Sequence, residues 1–158
     1  GSGIVSSVGT SFNSTVSAIW PVANRAIYIP FVLSHSITAL RMLVSNGTAV
    51  AGNVDVGLYD VAGTRLVSSG STAQAGVSAI QYFDITDTLL GPGTFYFALA
   101  GDDDVTATFI RGLGGTISRC IALGLAQQAT AFPLPATATF ATLTNDYIPV
   151  VGLTTRTV

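Results

Sequence analysis

There is no Lys and no Glu in these 158 residues: all six bases are Arg and all eight acids are Asp. Lys and Glu are the strong helix formers that normally cover the wet face of a surface helix. A chain without them has little from which to build ordinary amphipathic helices. It is rich instead in Thr, Val, Ile, Tyr and Phe, which suit a pleated, half-buried surface, and its 17 Gly and 6 Pro supply turns. The fold predicted is all-β. Charged residues make up 9% and hydrophobic ones 49%, whereas soluble domains average about 25% charged. So few bases argue against a nucleic-acid partner. A net charge of −2 also leaves a lone copy weakly protected against association, so we expect other copies or other proteins to cover part of its surface.

The length predicts one domain, large enough to bury a core without metal or disulfide. The single Cys120 lies in an apolar stretch and reads as an inert buried thiol. The uncharged run 120–145 is broken by Gln127, Gln128, Pro133 and Pro135, so no membrane span is expected. Residues 1–17, rich in Ser, Thr and Gly, read as a flexible arm or linker, and residues 18–158 as a single β-sandwich domain. Strand-like runs alternate with turn signals over 25–33, 37–45, 53–60, 65–69, 77–85, 94–100, 105–111, 116–125, 136–143 and 147–154. The cleanest alternation is 53–60, where Val54, Val56 and Leu58 point one way and Asp55, Gly57 and Tyr59 the other. Asn46-Gly47 reads as a turn dipeptide and Gly63 as the left-handed residue of a hairpin. Nine or ten antiparallel strands predict a two-sheet sandwich of the jelly-roll type.

Templates for catalysis fail on residue type. Schiff-base chemistry lacks its Lys, and a serine triad would have to use the one His, His35, which reads as a turn residue. One His and one Cys do not make a zinc site. Asp84 and Asp87 read as a strand end entering a turn rather than as a glycosidase pair. The cluster Asp102, Asp103 and Asp104 could ligate Ca²⁺, but it reads better as a solvated connection. No catalytic residue, metal or cofactor is expected. The candidate ligand or interface residues are Tyr59, Tyr82 and Tyr96 with Asp55 and Asp84. A tyrosine strip beside carboxylates can stack on sugar rings, form a subunit interface, or pack as core with its hydroxyls out; all three readings are open at this level.

The segment from Gly52 through Asn53, Val54, Asp55, Val56, Gly57, Leu58, Tyr59 and Asp60, with Gly63 and Leu66 to Gly70, resembles a pattern in bacteriophage virion proteins. Gln81, Asp84-Ile85 and the run from Leu90 to Ala100 extend it, so that the resemblance covers roughly 20–110. Similar strands occur in jelly-roll domains of tail fibres, receptor-binding proteins and capsid decorations, and in carbohydrate-binding modules. The resemblance implies a non-catalytic virion component at the particle surface, outside the host cell. It would be a homotrimer or larger assembly, contacting other virion proteins and host surface glycans. The alternative it implies is a carbohydrate-binding module of a secreted bacterial protein.

Overall fold

A computed structural model describes residues 2–7, 14–113 and 116–156. The first half of the chain forms strands β1 (Ser2–Ser6), β2 (Ser14–Ile19), β3 (Ala26–Leu33), β4 (Ile37–Ser45), β5 (Asn53–Asp60), β6 (Arg65–Ser68) and β7 (Thr72–Ala73). The second half adds β8 (Ile80–Leu90), β9 (Gly93–Gly101), β10 (Thr108–Leu113), the helix α1 (Ile117–Ala122), β11 (Ala126–Gln128), β12 (Ala141–Thr142), β13 (Ile148–Pro149) and β14 (Val151–Arg156). A front sheet has the order β1-β14-β4-β8, and a back sheet the order β12-β11-β3-β9-β5-β6, with β7 also on β5. A third, small sheet, β13-β10-β2, adjoins the front one through Ser45 N–H to Val150 O and Val150 N–H to Ile110 O. The strand pairings are antiparallel, and the fold is the expected all-β sandwich. Its strand count exceeds nine or ten because several strands span only two or three residues.

The period of two places the core. Ile27 and Ile29 on β3, Phe97 and Leu99 on β9, and Val54, Val56 and Leu58 on β5 face Met42 and Val44 on β4, Phe83 and Ile85 on β8, and Leu153 on β14. Trp20 closes one end, edge-on to Phe109 and Tyr147 with ring centroids at 5.2 and 5.4 Å. The other face of the back sheet is also covered. Ala131, Leu134 and Ala138 lie buried against Ala26, Tyr28, Tyr59, Ala98 and Ala100, with Phe132 and Phe140 packed beside them. Residues 129–140 thus form an irregular third layer. They carry no charge, and Pro133 and Pro135 lack the N–H groups a ladder needs.

Four expectations about local structure are corrected. Residues 2–6 of the presumed arm form β1 and residues 14–17 open β2, and these strands pair in register with β14 and β10. Their Ser and Thr content resembles a linker, but sheet pairing satisfies their backbone; 8–13 lie outside the described residues. Ser7 staples the first strand by donating to Pro149 O at 2.8 Å and accepting from Val151 N–H at 3.0 Å. The apolar run after Thr116 is not a strand but α1, whose first turn is capped by the Thr116 hydroxyl accepting from Arg119 N–H at 3.1 Å. Of 136–143 only Ala141–Thr142 is strand. Finally, Asp84 and Asp87 lie inside β8, which runs on to Leu90 instead of ending near residue 85.

Asn46-Gly47 is not a simple hairpin turn. Asn46 bridges to Phe109, and its amide lies in a buried network in which Gln74 Nε2 donates to Asn46 Oδ1 at 3.0 Å and to Thr108 O at 2.8 Å. Gly47 is needed for space: a Cβ there would strike Ser17 Oγ and Thr108 Oγ1, and would stand 2.8 Å from Thr108 Cβ. Gly63 does take the left-handed conformation expected of it, with φ of 89°. Gly47→Ala should therefore cost about 1–3 kcal/mol through overpacking, read as a lower urea midpoint with unchanged slope. An unaltered midpoint would mean that the junction of β2, β4 and β10 is loosely packed.

Candidate functional site

The five candidate residues fall into two groups on opposite sides of the sandwich. Asp55, Tyr59 and Tyr96 stand on the outer face of the back sheet, where Tyr59 and Tyr96 are register partners. Tyr59 is fully buried and Asp55 is 1% exposed. The parity read from the sequence is correct, but the face is dry because residues 129–140 cover it. Tyr28 stands edge-on to Tyr59 and to Phe140 at 5.3 and 5.0 Å, and Tyr96 lies against Phe140 at 4.5 Å. Tyr28 and Tyr59 pack as core and Tyr96 is half-buried beside them; Tyr59 bonds the covering layer, Tyr28 a side chain of β11. Tyr28 Oη donates to Gln128 Oε1 at 2.7 Å and Tyr59 Oη to Pro135 O.

Polar groups hold that layer down. Asp55 Oδ2 accepts from Leu134 N–H at 2.9 Å, and Arg65 Nη1 donates to Leu134 O at 2.6 Å. Backbone bonds from Arg65 N–H to Ala136 O and from Ala138 N–H to Gly63 O complete the seam. Burial raises the Asp55 pKa above its usual value, opposed by hydrogen bonds from Leu134 and Ser69 and by the Arg65 charge. Burial likewise pushes Tyr28 up to about 12.

The second group lies on the outer face of the front sheet. Ile4, Thr154, Arg41 and Asp84 form one cross-strand row over β1, β14, β4 and β8. Tyr82, two residues from Asp84, shares that face, and the Arg41 guanidinium sits 4.4 Å from its ring centroid. A register shift between Ala39 and Arg41 brings in Leu40. Gly3, Ile4, Leu40, Arg41, Tyr82, Thr154 and Thr155 line an open depression of about 500 Å³. Tyr82 is 46% exposed, whereas Thr154 is 9% exposed and its buried Oγ1 has no hydrogen-bond partner among the described residues. This is the candidate site. Sequence reading found Tyr82 and Asp84 but missed Arg41 and Thr154, whose nearness to them depends on strand order and register.

Other chemistry-bearing residues take structural places. Asp102 Oδ1 accepts from Asn53 N–H, Asp104 Oδ2 from Ala23 N–H, and Asp103 Oδ1 from Val105, Thr106 and Ala107 N–H. The bonds from Ala107 and Thr106, followed by that from Val105, lower the Asp103 pKa. His35 is exposed in the β3–β4 turn beside Ser34. Cys120 is buried, and its thiol pKa is raised chiefly by desolvation. The described helix is too short to cross a membrane.

The chain matches no protein-family model and no curated protein. Among solved structures it is similar to one of the infectious bursal disease virus Gx strain, at 6% identity and TM-score 0.30, over 98% of this chain and 39% of that one. The T13 viral particle of the same virus matches at 11% and 0.31, over 98% and 38% of the two chains. Its VP2 subviral particle matches at 9% and 0.32, over 98% and 40%. The chain thus spans about two fifths of the length of these viral chains.

Asp55 and Asp103 make opposite contributions to stability as pH changes. A carboxyl raised in the folded state contributes stability that is full below the unfolded value, about 4, and is lost as pH rises through the raised value. Asp55 should therefore lower the urea midpoint as pH climbs from about 4, and Asp55→Asn should flatten that window. Asp103 is lowered, so its contribution is present above the ordinary value and fades as pH falls through the lowered one; Asp103→Asn should flatten only the acid side. A wild-type midpoint that rises above pH 4 and ignores Asp55→Asn would show that Asp55 is not held in a raised state.

Proposed function

We propose that this chain is a non-catalytic structural domain of a virion, of the bacteriophage kind its sequence resembles. It assembles with its own copies, as a trimer or larger, and with other virion proteins at the particle surface. The supporting observation is the balance of what lies uncovered. Fifteen large apolar side chains are exposed among the described residues, while the whole chain carries only six Arg and eight Asp. Several of those charges serve the chain's own structure: Asp55 is buried, Asp60 and the Asp102–Asp104 loop accept backbone N–H groups, and Arg111 pairs with Asp146.

Apolar residues scattered singly would be ordinary. Here exposure is high at one end of the sandwich and along α1. Val32 and Leu89, 74% and 73% exposed, stand on different sheets at the end where β3 turns into β4 and β8 into β9. Ile117 and Ile121, one turn apart on α1, are both 42% exposed, with Leu123 close behind at 40%. Fully burying a side chain of this size contributes about 1.5–3 kcal/mol, so covering several partly exposed ones per copy favours a closed, symmetric assembly. The front-sheet depression supports a second reading, a carbohydrate-binding module of a secreted bacterial protein. On the virion reading the same face would meet host surface glycans.

Light scattering with sedimentation at micromolar concentration tests assembly. The wild-type chain should run as a trimer or larger particle. Val32→Asp combined with Leu89→Asp, both at exposed positions, should shift it toward monomer with an unchanged far-UV spectrum. A wild-type chain that stays monomeric overturns the proposal and favours the second reading.

A further inference from the structure

We infer that the free edge of β2 pairs antiparallel with β2 of a second copy, across a two-fold axis at Ser17. The inference rests on the assembly proposed above and deepens it by naming one contact. Among the described residues, β2 ends the small sheet and pairs with β10 on one side only. The ladder to β10 uses alternate residues. Trp20 N–H donates to Ala107 O, whereas Thr108 and Ile110 turn their backbone groups away from β2, toward Gly47, Ala49 and Val150. Thr108 stands opposite Ile19 and Ile110 opposite Ser17. The N–H and C=O groups of Ile19, Ser17 and Thr15 therefore point away from β10. These six groups form the open edge, and Thr15 and Ile19 on it are exposed.

A row of unpaired backbone groups is a template for another strand. A second β2 fits it by symmetry and by charge. The outward-bonding residues are centred on Ser17, so a two-fold axis there sets Thr15 against Ile19 of the second copy and Ser17 against its own equivalent. Each such pair exchanges two hydrogen bonds, and on the other face Val16 falls opposite Ala18. Thr15 with Ile19 is a β-branched pair of the kind that packs well across strands. Residues 14–19 contain no charge and no Pro, and their register with β10 is unbroken, so nothing repels the copy or bends the edge away. The other edges are built differently. β8 carries a register shift with Asp84 and Asp87, Gly3 interrupts β1, and β6, β7, β12 and β13 span four residues or fewer. A two-fold contact here, combined with a trimer contact elsewhere, gives a larger closed particle.

The test is disulfide trapping in the full chain at micromolar concentration. Partners in such a pair stand about 5.5 Å apart between Cα atoms, within disulfide reach, whereas positions 15 and 19 of one copy lie about 13 Å apart. Thr15→Cys combined with Ile19→Cys should therefore form a covalent dimer on mild oxidation, several-fold more than either substitution alone. Cys120 is buried and adds no background. A double variant that cross-links no better than the single ones would overturn the inference. Ile19→Pro removes an outward N–H and leaves the β10 ladder whole. It should raise roughly tenfold the concentration at which the assembly dissociates, and an unmoved value would also count against the contact. Trapping repeated with Val32→Asp and Leu89→Asp present separates the two proposals. A covalent dimer there sustains the β2 contact even where the apolar end is disrupted, and a wild-type trimer that cannot be trapped removes the β2 contact alone.

Discussion

Strands β3, β9 and β5 are buried on both faces, and that constraint organises the molecule. One face meets the front sheet; the other would expose Tyr28, Tyr59, Ala98 and Ala100 to water if residues 129–140 did not cover it. A covering segment without regular structure brings its own N–H and C=O groups into a dry place, and each needs a partner. Asp55, Arg65, Tyr59 and the β5–β6 backbone, close together around one hairpin, supply several of them, while Asn24 O accepts from Ala131 N–H and Gln128 Oε1 from Thr139 N–H. A buried carboxylate is costly by itself. It is tolerable here because it accepts hydrogen bonds from Leu134 and Ser69, with the Arg65 guanidinium at the same seam.

The same economy runs through the rest of the chain. Without Lys or Glu, its interior polar work is done by amides, hydroxyls and Asp. Asn46, Gln74, Gln81 and Thr108 tie the end of β4 to the loops around it, and the Asp102–Asp104 loop binds three separate backbone stretches. Asp102 and Asp104 stay exposed while doing so, but so few charges solvate little of the exterior. Hydroxyls and apolar side chains make up much of the rest, and a surface of that kind favours association. Scarcity of charge, internal hydrogen bonding and the proposed assembly are three aspects of one composition.

Much of the fold was legible because strand periodicity is local. The alternation at 53–60 placed Val54, Val56 and Leu58 in the core, and the turn chemistry at Gly63 held. The tyrosine strip shows where legibility stops. Tyr59 and Tyr82 look alike on their strands, yet one is sealed under a segment whose contact with it lies 76 residues further along and the other stands open. Parity tells which way a side chain points and is silent on what covers it. Helix α1 escaped because six residues give too short a window for a period of 3.6, and β1 and β2 because Ser and Thr serve strands and linkers equally. Arg41 and Thr154 carry no local signal at all; they meet through register alone.

By itself the sequence determined the all-β class, the antiparallel sandwich, the apolar faces of the principal strands and the poverty of surface charge. All of these follow from residue type and from a repeat of two, which act within a few positions. Tertiary structure alone decided strand order, the third layer over the back sheet, the burial of Asp55, and the grouping of Arg41, Tyr82 and Thr154. Those depend on which distant segments pair and pack, and long-range pairing is chosen by the total burial and hydrogen bonding of the whole chain rather than by any local pattern.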